Sequence, residues 1–286
     1  MEEIIYWIWL SILDLTPIKK VRLIEVFKRP SEIYSLRVND LKDLCNGDEL
    51  VKIFKCAGKI DEAKRIFEKS KEENIKIIRY IDNEYPARLL ETFDFPILLY
   101  AKGNIELLNS RKTISIVGSR DCTEYGMKIT ERLSYLISKN NYTIISGMAR
   151  GIDYYAHKGT LKNKGKTIAV LGCGVNYIYP MENKNLYYDI LNNNGTVLSE
   201  YPLKTRPCEL FFPMRNRIIA GISDKVLVTE AKHKSGSIIT ANIALEQGKD
   251  IYAVPGNITS RHSQGTNELL KDGAILVTAL EDIIEI

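Results

Sequence analysis

Four short segments of the sequence combine basic side chains with small residues in the way that anion recognition requires. Gly118-Ser119-Arg120 follows an apolar run at 113–117 and precedes a helical pattern beginning near Glu124. A glycine directly after a strand lets the backbone approach a ligand, a helix N-terminus favours negative charge, and an arginine offers a fork of donors shaped for phosphate. A tight turn with a solvated arginine is the plain alternative for the tripeptide alone. The next apolar run ends in Ser146-Gly147-Met148-Ala149-Arg150-Gly151-Ile152-Asp153, which brings Arg150 to a similar place. Lys232-His233-Lys234-Ser235-Gly236-Ser237 opens a helix. Ser235 or Ser237 caps that helix or, with Gly236, its N-terminus takes an anion beside Lys234. Phe211-Phe212-Pro213-Met214-Arg215-Asn216-Arg217 opens another. Arg215 and Arg217, two apart, cannot share a helix face, so they meet different phosphates or clamp one from two sides. Phe212 or Tyr177 offers a face for base stacking, the second ingredient of single-strand binding; for the phenylalanines, core anchoring is the alternative.

Catalytic chemistry is scarce by comparison. No G-x-G-x-x-G follows the strand at 113–117, Gly172-Cys173-Gly174 lacks the third glycine of a dinucleotide fingerprint, and Gly159 to Gly165 is spaced by five residues instead of a P-loop's four. Asp153 and His157 lie i, i+4 on one helix, as a base with its orienting carboxylate or as a helix-stabilising pair. Ser146 has no nucleophile-elbow context, and Glu200 and Glu230 at strand ends are isolated candidates for ribose hydroxyls. No catalytic constellation emerges. Cys45, Cys56, Cys122, Cys173 and Cys208 form no C-x-x-C and lie far from His157, His233 and His262. Reduced thiols in a cytoplasmic protein are expected, with no metal site and no cofactor.

The elements that position these loops follow from periodicity. Residues 1–74 show helical spacing, with Pro17 at a helix start, Pro30-Ser31 opening the next turn and an amphipathic stretch at 59–73. The apolar run 4–13 is too short to span a bilayer and follows Glu2 and Glu3, so it reads as a buried helix, and no membrane partner is expected. β-type runs at 75–80 and 97–101, separated by Tyr85-Pro86 and Phe95-Pro96, read as connecting structure on the edge of the next domain. From 113 onward, seven β segments (113–117, 142–145, 167–171, 196–198, 225–229, 251–254, 275–277) alternate with helical stretches. That pattern gives an α/β fold, a doubly wound, mainly parallel sheet covered on both faces, behind a small helical domain; the boundary falls at 1–74 and 75–286. Ligands of such sheets bind beyond the carboxyl ends of the strands, where all four basic segments converge. The net charge is only +4, yet the stretch 204–234 alone holds Lys204, Arg206, Arg215, Arg217, Lys225, Lys232 and Lys234 against Glu209, Asp224 and Glu230. The excess is therefore local to these loops.

At these residues the sequence resembles the DNA-processing protein A (DprA, also called Smf) family. The likeness rests on Tyr85-Pro86 with Leu99-Tyr100-Ala101-Lys102-Gly103, Val117-Gly118-Ser119-Arg120, 146–153 with Ala156-His157, Ser199-Glu200-Tyr201-Pro202, 212–221, Lys234-Ser235-Gly236-Ser237 and Val254-Pro255-Gly256. It implies an extended Rossmann-like domain that binds single-stranded DNA without hydrolysing a nucleotide, forms a homodimer through the region around 265–274, protects incoming DNA and loads RecA in natural transformation. It places phosphate binding on Gly118, Ser119 and Arg120, with Arg150, Arg215, Arg217 and Lys234 lining the same basic pocket. It also likens the first domain to a sterile-alpha-motif or helix-hairpin-helix module, although Thr16-Pro17-Ile18 stands where a glycine hairpin is expected. Only a short helix, 279–284, follows the last strand, so no C-terminal winged helix and only weak duplex binding are expected. Two other readings stand beside this one: a phosphoribohydrolase-like enzyme acting on nucleoside monophosphates with Glu230 at the ribose, and an adaptor whose basic face meets an acidic protein.

Overall fold

The computed structural model describes residues 2–36 and 57–284. Cys45, Cys56 and the helical spacing between 37 and 56 lie outside the described residues. The first helix, α1 (Glu3–Ser11), is apolar nearly all round and buries Ile5, Trp7, Ile8, Trp9 and Leu10. Thr16 caps α2 (Pro17–Phe27), its hydroxyl accepting the Lys19 N–H, and Pro17 takes the first-turn position where a missing N–H costs nothing. α3 (Pro30–Ser35) also starts on a proline. α4 (Ile60–Glu72) places Asp61 and Glu62 in its first turn and Lys69 and Lys71 in its last, matching the helix dipole.

The two runs that read as connecting structure are strands of the main sheet. β1 (Lys76–Arg79) pairs antiparallel with β2 (Leu98–Gly103), and β2 pairs antiparallel with β6 (Thr196–Ser199). Between β1 and β2, the short α5 (Ala87–Leu90) follows Pro86, and the buried Tyr85 hydroxyl donates to the Pro96 carbonyl at 2.6 Å, closing the loop. The prolines disfavour helix in the residues before them, but the edge pairing depends on a partner about a hundred residues away.

β3 (Thr113–Val117), α6 (Glu124–Lys139), β4 (Thr143–Ser146), α7 (Ile152–Lys162), β5 (Thr167–Val170), α8 (Lys184–Asn192), β6, α9 (Phe211–Gly221), β7 (Lys225–Val228), α10 (Gly236–Glu246), β8 (Asp250–Ala253), α11 (Gln264–Lys271) and β9 (Ile275–Leu276) follow in alternation. All seven expected segments are strands. After β9 a single 3₁₀ turn (Leu280–Asp282) stands where the sequence suggested a short helix. The sheet order is β1-β2-β6-β5-β4-β3-β7-β8-β9, parallel from β6 to β9. This is a Rossmann-like, doubly wound sheet. Its central strands, β3 to β6, are short and buried along their whole length because helices cover both faces. α6 and α7 pack over Ile114, Ile116, Ile144 and Leu227; α9 and α10 pack over Val117, Ile145, Val170 and Val228 on the other side. The N-terminal helices share one apolar cluster with the sheet, Trp7, Trp9, Leu10 and Phe67 joining Leu98, Tyr100, Ala169 and Val197. No helix among the described residues is long and apolar enough to cross a membrane. The chain winds outward from β3 to β6 and then returns to place β7 on the other side of β3. The loops after β3 and β7 therefore part at the point where doubly wound sheets leave a crevice.

Candidate nucleic-acid interface

A cavity of about 590 Å³ opens at that crevice. The loop after β3 lines it with Gly118, Ser119 and Arg120, the segment after β4 with Ala149 and Asp153, α9 with Phe212, Arg215 and Asn216, and the start of α10 with Ser235, Gly236 and Ser237. Four elements distant in sequence thus meet in one space large enough for a nucleotide unit.

The loop after β3 is fixed from beneath. Ser119 N–H donates to the Glu230 carbonyl at 2.8 Å, and the Ser119 carbonyl accepts from Ile152 N–H at 3.1 Å. Glu230, 2% exposed, takes the Thr123 N–H at 2.9 Å and the Thr123 hydroxyl, and Thr123 caps α6 by accepting from Gly126 N–H at 3.1 Å. Both Glu230 oxygens are occupied by this scaffold rather than turned to a ribose. A Cβ on Gly118 would stand 2.5 Å from Ile152 Cγ1 and 2.7 Å from the Glu230 carbonyl, so this glycine serves the packing of α7 against the loop. Gly236 is the opposite case: a Cβ there meets nothing within 4 Å, although the residue lines the cavity. The Ser235 hydroxyl hydrogen-bonds the Ser237 hydroxyl at 2.7 Å and makes no cap, so the first amides of α10 lack a side-chain partner. α9 begins without a side-chain cap as well. Uncapped helix N-termini present N–H groups and a partial positive charge to an anion.

Charge and rings are layered across this cavity. The Arg120 guanidinium lies 5.0 Å from the Phe212 ring centroid, and Phe212 stacks on Tyr179 at 5.7 Å with 28° between planes. Phe211 points elsewhere and stacks on Tyr201 at 4.2 Å. Arg215 is buried at the floor, where Nη1 donates to the Gly147 carbonyl at 2.7 Å and to the Val170 carbonyl, and Nε donates to Asn216 Oδ1 at 3.3 Å. Burial lowers the Arg215 pKa, with Asp153 opposing the shift. Burial raises that of Asp153, with Arg215 opposing, and Asp153 Oδ2 accepts the Ala149 N–H at 3.3 Å.

The other basic residues expected here are placed differently. Arg217 points away from the cavity, its side chain 5% exposed, ion-paired with Glu200 and, at 3.3 Å, with Asp94. Lys20 of α2 joins this group electrostatically; burial lowers its pKa to about 8, Glu200 and Asp14 oppose the shift, and its ammonium donates to the Ser11 carbonyl at 2.6 Å. Arg150 is exposed and paired with Glu182 beyond the lining. Lys234 is exposed in the turn before α10, while Lys232 lines the cavity and pairs with Asp121 at 2.8 Å. Tyr177 packs against the cluster between the N-terminal helices and the sheet, and Tyr179, two residues on, occupies the cavity. In a regular strand two rings two apart would share a side; here the chain bends at 177 and 179, and the two rings diverge, which spacing alone does not show. Lys232 and Tyr179 are among the lining residues that sequence reasoning missed.

Asp153 and His157 make no pair. The Thr167 hydroxyl donates its proton to the Ile144 carbonyl at 2.8 Å, so His157 Nδ1–H donates to Thr167 Oγ1 at 2.7 Å and Nε2 is left bare and without a partner. Burial lowers the His157 pKa to about 3, reinforced by Arg215. His157 is a neutral core residue. Cys122, Cys173 and Cys208 are free thiols, and no cluster of three or more His, Cys, Asp or Glu suited to a metal occurs among the described residues.

A family model described as DNA recombination-mediator protein A matches residues 76–286. The DNA processing protein DprA of Streptococcus pneumoniae is 45% identical over 204 residues, 71% of this chain and 71% of its own; that of Bacillus subtilis is 41% identical over 221 residues, 77% and 74% of the two chains. The X-ray structure of the Streptococcus pneumoniae protein matches with a TM-score of 0.86 at 36% identity, covering 98% of this chain and 96% of that one. The structure of DNA processing protein A from Helicobacter pylori, which concerns that protein's single-stranded DNA binding mode, matches with a TM-score of 0.66 at 31% identity over 73% and 93% of the two chains. Sequence, fold and the four loops that meet at the crevice agree, and the chain belongs to the DNA recombination-mediator protein A family, DprA/Smf.

Proposed function

We propose that this cavity holds the backbone of single-stranded DNA, and that the chain acts by binding rather than by catalysis, protecting incoming DNA and loading RecA in natural transformation. The observation that carries the reading is the convergence of Arg120, the uncapped start of α10 and the Phe212–Tyr179 ring pair in one cavity. Arg120 with the amides at Gly236 and Ser237 holds one phosphate, Gly118 and Ser119 shape the loop that carries Arg120, and Arg150 and Lys234 flank the entrance for neighbouring phosphates. Arg215 supplies a fixed positive floor. Arg217 acts one step back by orienting α9. A base stacks on the exposed side of the Tyr179–Phe212 pair, as bases do on aromatic platforms of single-strand binders. Homodimerisation through 265–274, work in the cytoplasm and contact with RecA belong to the same proposal, supported by family membership. Co-sedimentation of RecA with the chain on one labelled strand tests the last of these.

Fluorescence anisotropy of a labelled oligothymidine against the matching duplex tests the core of the reading. With about three phosphates neutralised, log affinity for the single strand falls against log salt with a slope near −2. Arg120→Ala weakens binding by about 1–3 kcal/mol, the loss of one charge-assisted contact. No single-strand binding at low salt, or an Arg120→Ala protein that binds like wild type, overturns it.

A further inference from the structure

The turns that feed the sheet from its other end carry a second concentration of charge. β2 ends where β6 begins, since Gly103 pairs with Thr196, and β3 to β6 start in register, Thr113 opposite Thr143, Ile144 opposite Thr167 and Ile168 opposite Thr196. From β2 to β3 the segments at this end, 102–104, 110–112, 139–142, 162–166 and 192–195, contain no carboxylate; the acids beside them are Glu106, in the turn after 104, and Asp224, before β7, which pairs with Arg88. Their cations are Lys162, which is ion-paired with Glu131, and six more: Lys102, Arg111, Lys112, Lys139, Lys164 and Lys166. These six are exposed or half-exposed, and none is ion-paired with a carboxylate among the described residues. Around the cavity two of the cations are matched by acids, Arg150 by Glu182 and Lys232 by Asp121.

The helix dipoles account for part of this. α6, α7 and α8 end here, and each C-terminus carries about half a negative charge that favours Lys139 in the last turn of α6. Three such ends offset about 1.5 of the six positive charges and leave the edge strongly basic. Lys102, Arg111, Lys112 and Lys166 lie outside any last helical turn. Lys164 holds φ +52 in the turn after α7, where Asn141 and Asn194 hold +64 and +58 in the turns after α6 and α8. A lysine thus occupies a left-handed position that asparagine, the better-suited residue, fills in both neighbouring turns.

The turns are also tied to one another. Thr143 N–H donates to the Lys112 carbonyl at 2.9 Å, Ile144 N–H to the Lys166 carbonyl at 3.0 Å, and Asn104 N–H to the Gly195 carbonyl at 3.0 Å, while the Thr143 hydroxyl donates to the Ser110 hydroxyl at 3.0 Å. The charges therefore sit on a fixed backbone. From β2 to β3 the edge crosses four interstrand spacings, about 19 Å at ~4.8 Å each. No exposed large hydrophobic side chain lies in these segments. A protein partner's interface core needs aromatic or aliphatic anchors, whereas a nucleic-acid backbone needs only fixed charges.

We propose that this edge is a second, sequence-independent site for the sugar-phosphate backbone of DNA, at the opposite end of the sheet from the cavity. It rests on the reading of the chain as a DNA binder but uses none of the cavity's residues. The test uses the full chain with Lys112, Lys139, Lys164 and Lys166 changed together to Gln, in wild-type and Arg120→Ala backgrounds, after circular dichroism confirms the fold. A hexathymidine and a thirty-residue oligothymidine serve as probes. The expected result is hexamer affinity unchanged by the four substitutions, with the longer strand bound at least tenfold more weakly. The Arg120→Ala protein retains salt-sensitive binding of the longer strand, and the four substitutions abolish it. In that background, bound oligothymidine shields Lys112, Lys139, Lys164 and Lys166 from acetylation severalfold more than Lys128 on α6. Equal affinity for the longer strand with and without the four substitutions overturns the second site. Loss of binding to phosphatidylserine vesicles with unchanged DNA affinity also overturns it, and reassigns the edge to a membrane surface. If instead Arg120→Ala leaves hexamer binding intact, the cavity reading fails while the second site stands.

Discussion

At the scale of single residues, the two glycines of the cavity differ in what a side chain would meet, and the proposed ligand contact falls on only one of them. Gly118→Ala forces a methyl group to within 2.5 Å of Ile152 and 2.7 Å of a carbonyl, and should lower unfolding stability by about 1–3 kcal/mol. Gly236→Ala enters open space, so its stability should stay within about 0.5 kcal/mol of wild type while affinity for a single strand falls. Urea unfolding and anisotropy on the same samples check both; a Gly236→Ala protein of full affinity would show that the α10 amides are not approached. His157 gives a pH signature. Its folded pKa of about 3 lies below the ordinary 6.5, so between these values the unfolded chain binds a proton that the folded chain refuses, and stability is lost as pH falls. From pH 7 to pH 5 this amounts to about 2 kcal/mol. Asp153 and Glu200, both raised by burial, act in the opposite sense, so the comparison with His157→Gln, whose pH slope should be shallower, isolates the histidine. That Gly118, Gly236, Arg120 and Phe212 line one cavity was legible because they follow strands of a doubly wound sheet, at the end where its ligands bind. Arg217 was legible only as a charge: that Asp94 and Glu200 claim it depends on loops 123 and 17 residues away meeting in space.

At the scale of elements, α6 depends on one side chain at its start. Thr123 caps the helix and, through Glu230, ties it to the end of β7, so Thr123→Ala removes the cap and takes from a buried carboxylate the hydroxyl on Oε2, while the backbone N–H on Oε1 stays. A loss of about 1–2 kcal/mol in stability is expected, with Thr123→Ser restoring most of it, as thermal unfolding would show. Because the same carboxylate steadies the loop after β3, single-strand affinity should drop with it. The seven parallel strands could be read from the sequence because a strand covered on both faces is a continuous apolar run. β1 and β2 could not be given their role: edge strands announce themselves by what they pair with, and Gly103 finds Thr196 only in the finished sheet.

At the scale of the molecule, helical spacing gives way to β segments near residue 74, yet the apolar cluster runs across that line from Trp7 and Phe67 to Tyr100 and Val197. The chain should therefore unfold in a single transition. Both tryptophans, Trp7 and Trp9, lie in α1, so their fluorescence follows the helical region while far-ultraviolet circular dichroism follows the whole. The two curves are expected to coincide in urea; a separate early fluorescence change would mean that the helices come away alone. Composition and length allowed one domain or two, because neither shows whether two apolar faces meet. The same connectedness bears on α9, which carries Phe212 and Arg215 into the cavity. Lys249 donates to the carbonyls of Ala220, Gly221 and Ser223 at its end, Arg215 holds the sheet, and Arg217 meets Glu200 and Asp94. A helix held at so many points has little freedom left to lose, so the ordering entropy of association falls on the DNA. In calorimetric terms, the heat-capacity change of binding should be no larger than the burial of the stacked base requires, with no added share from folding of the protein.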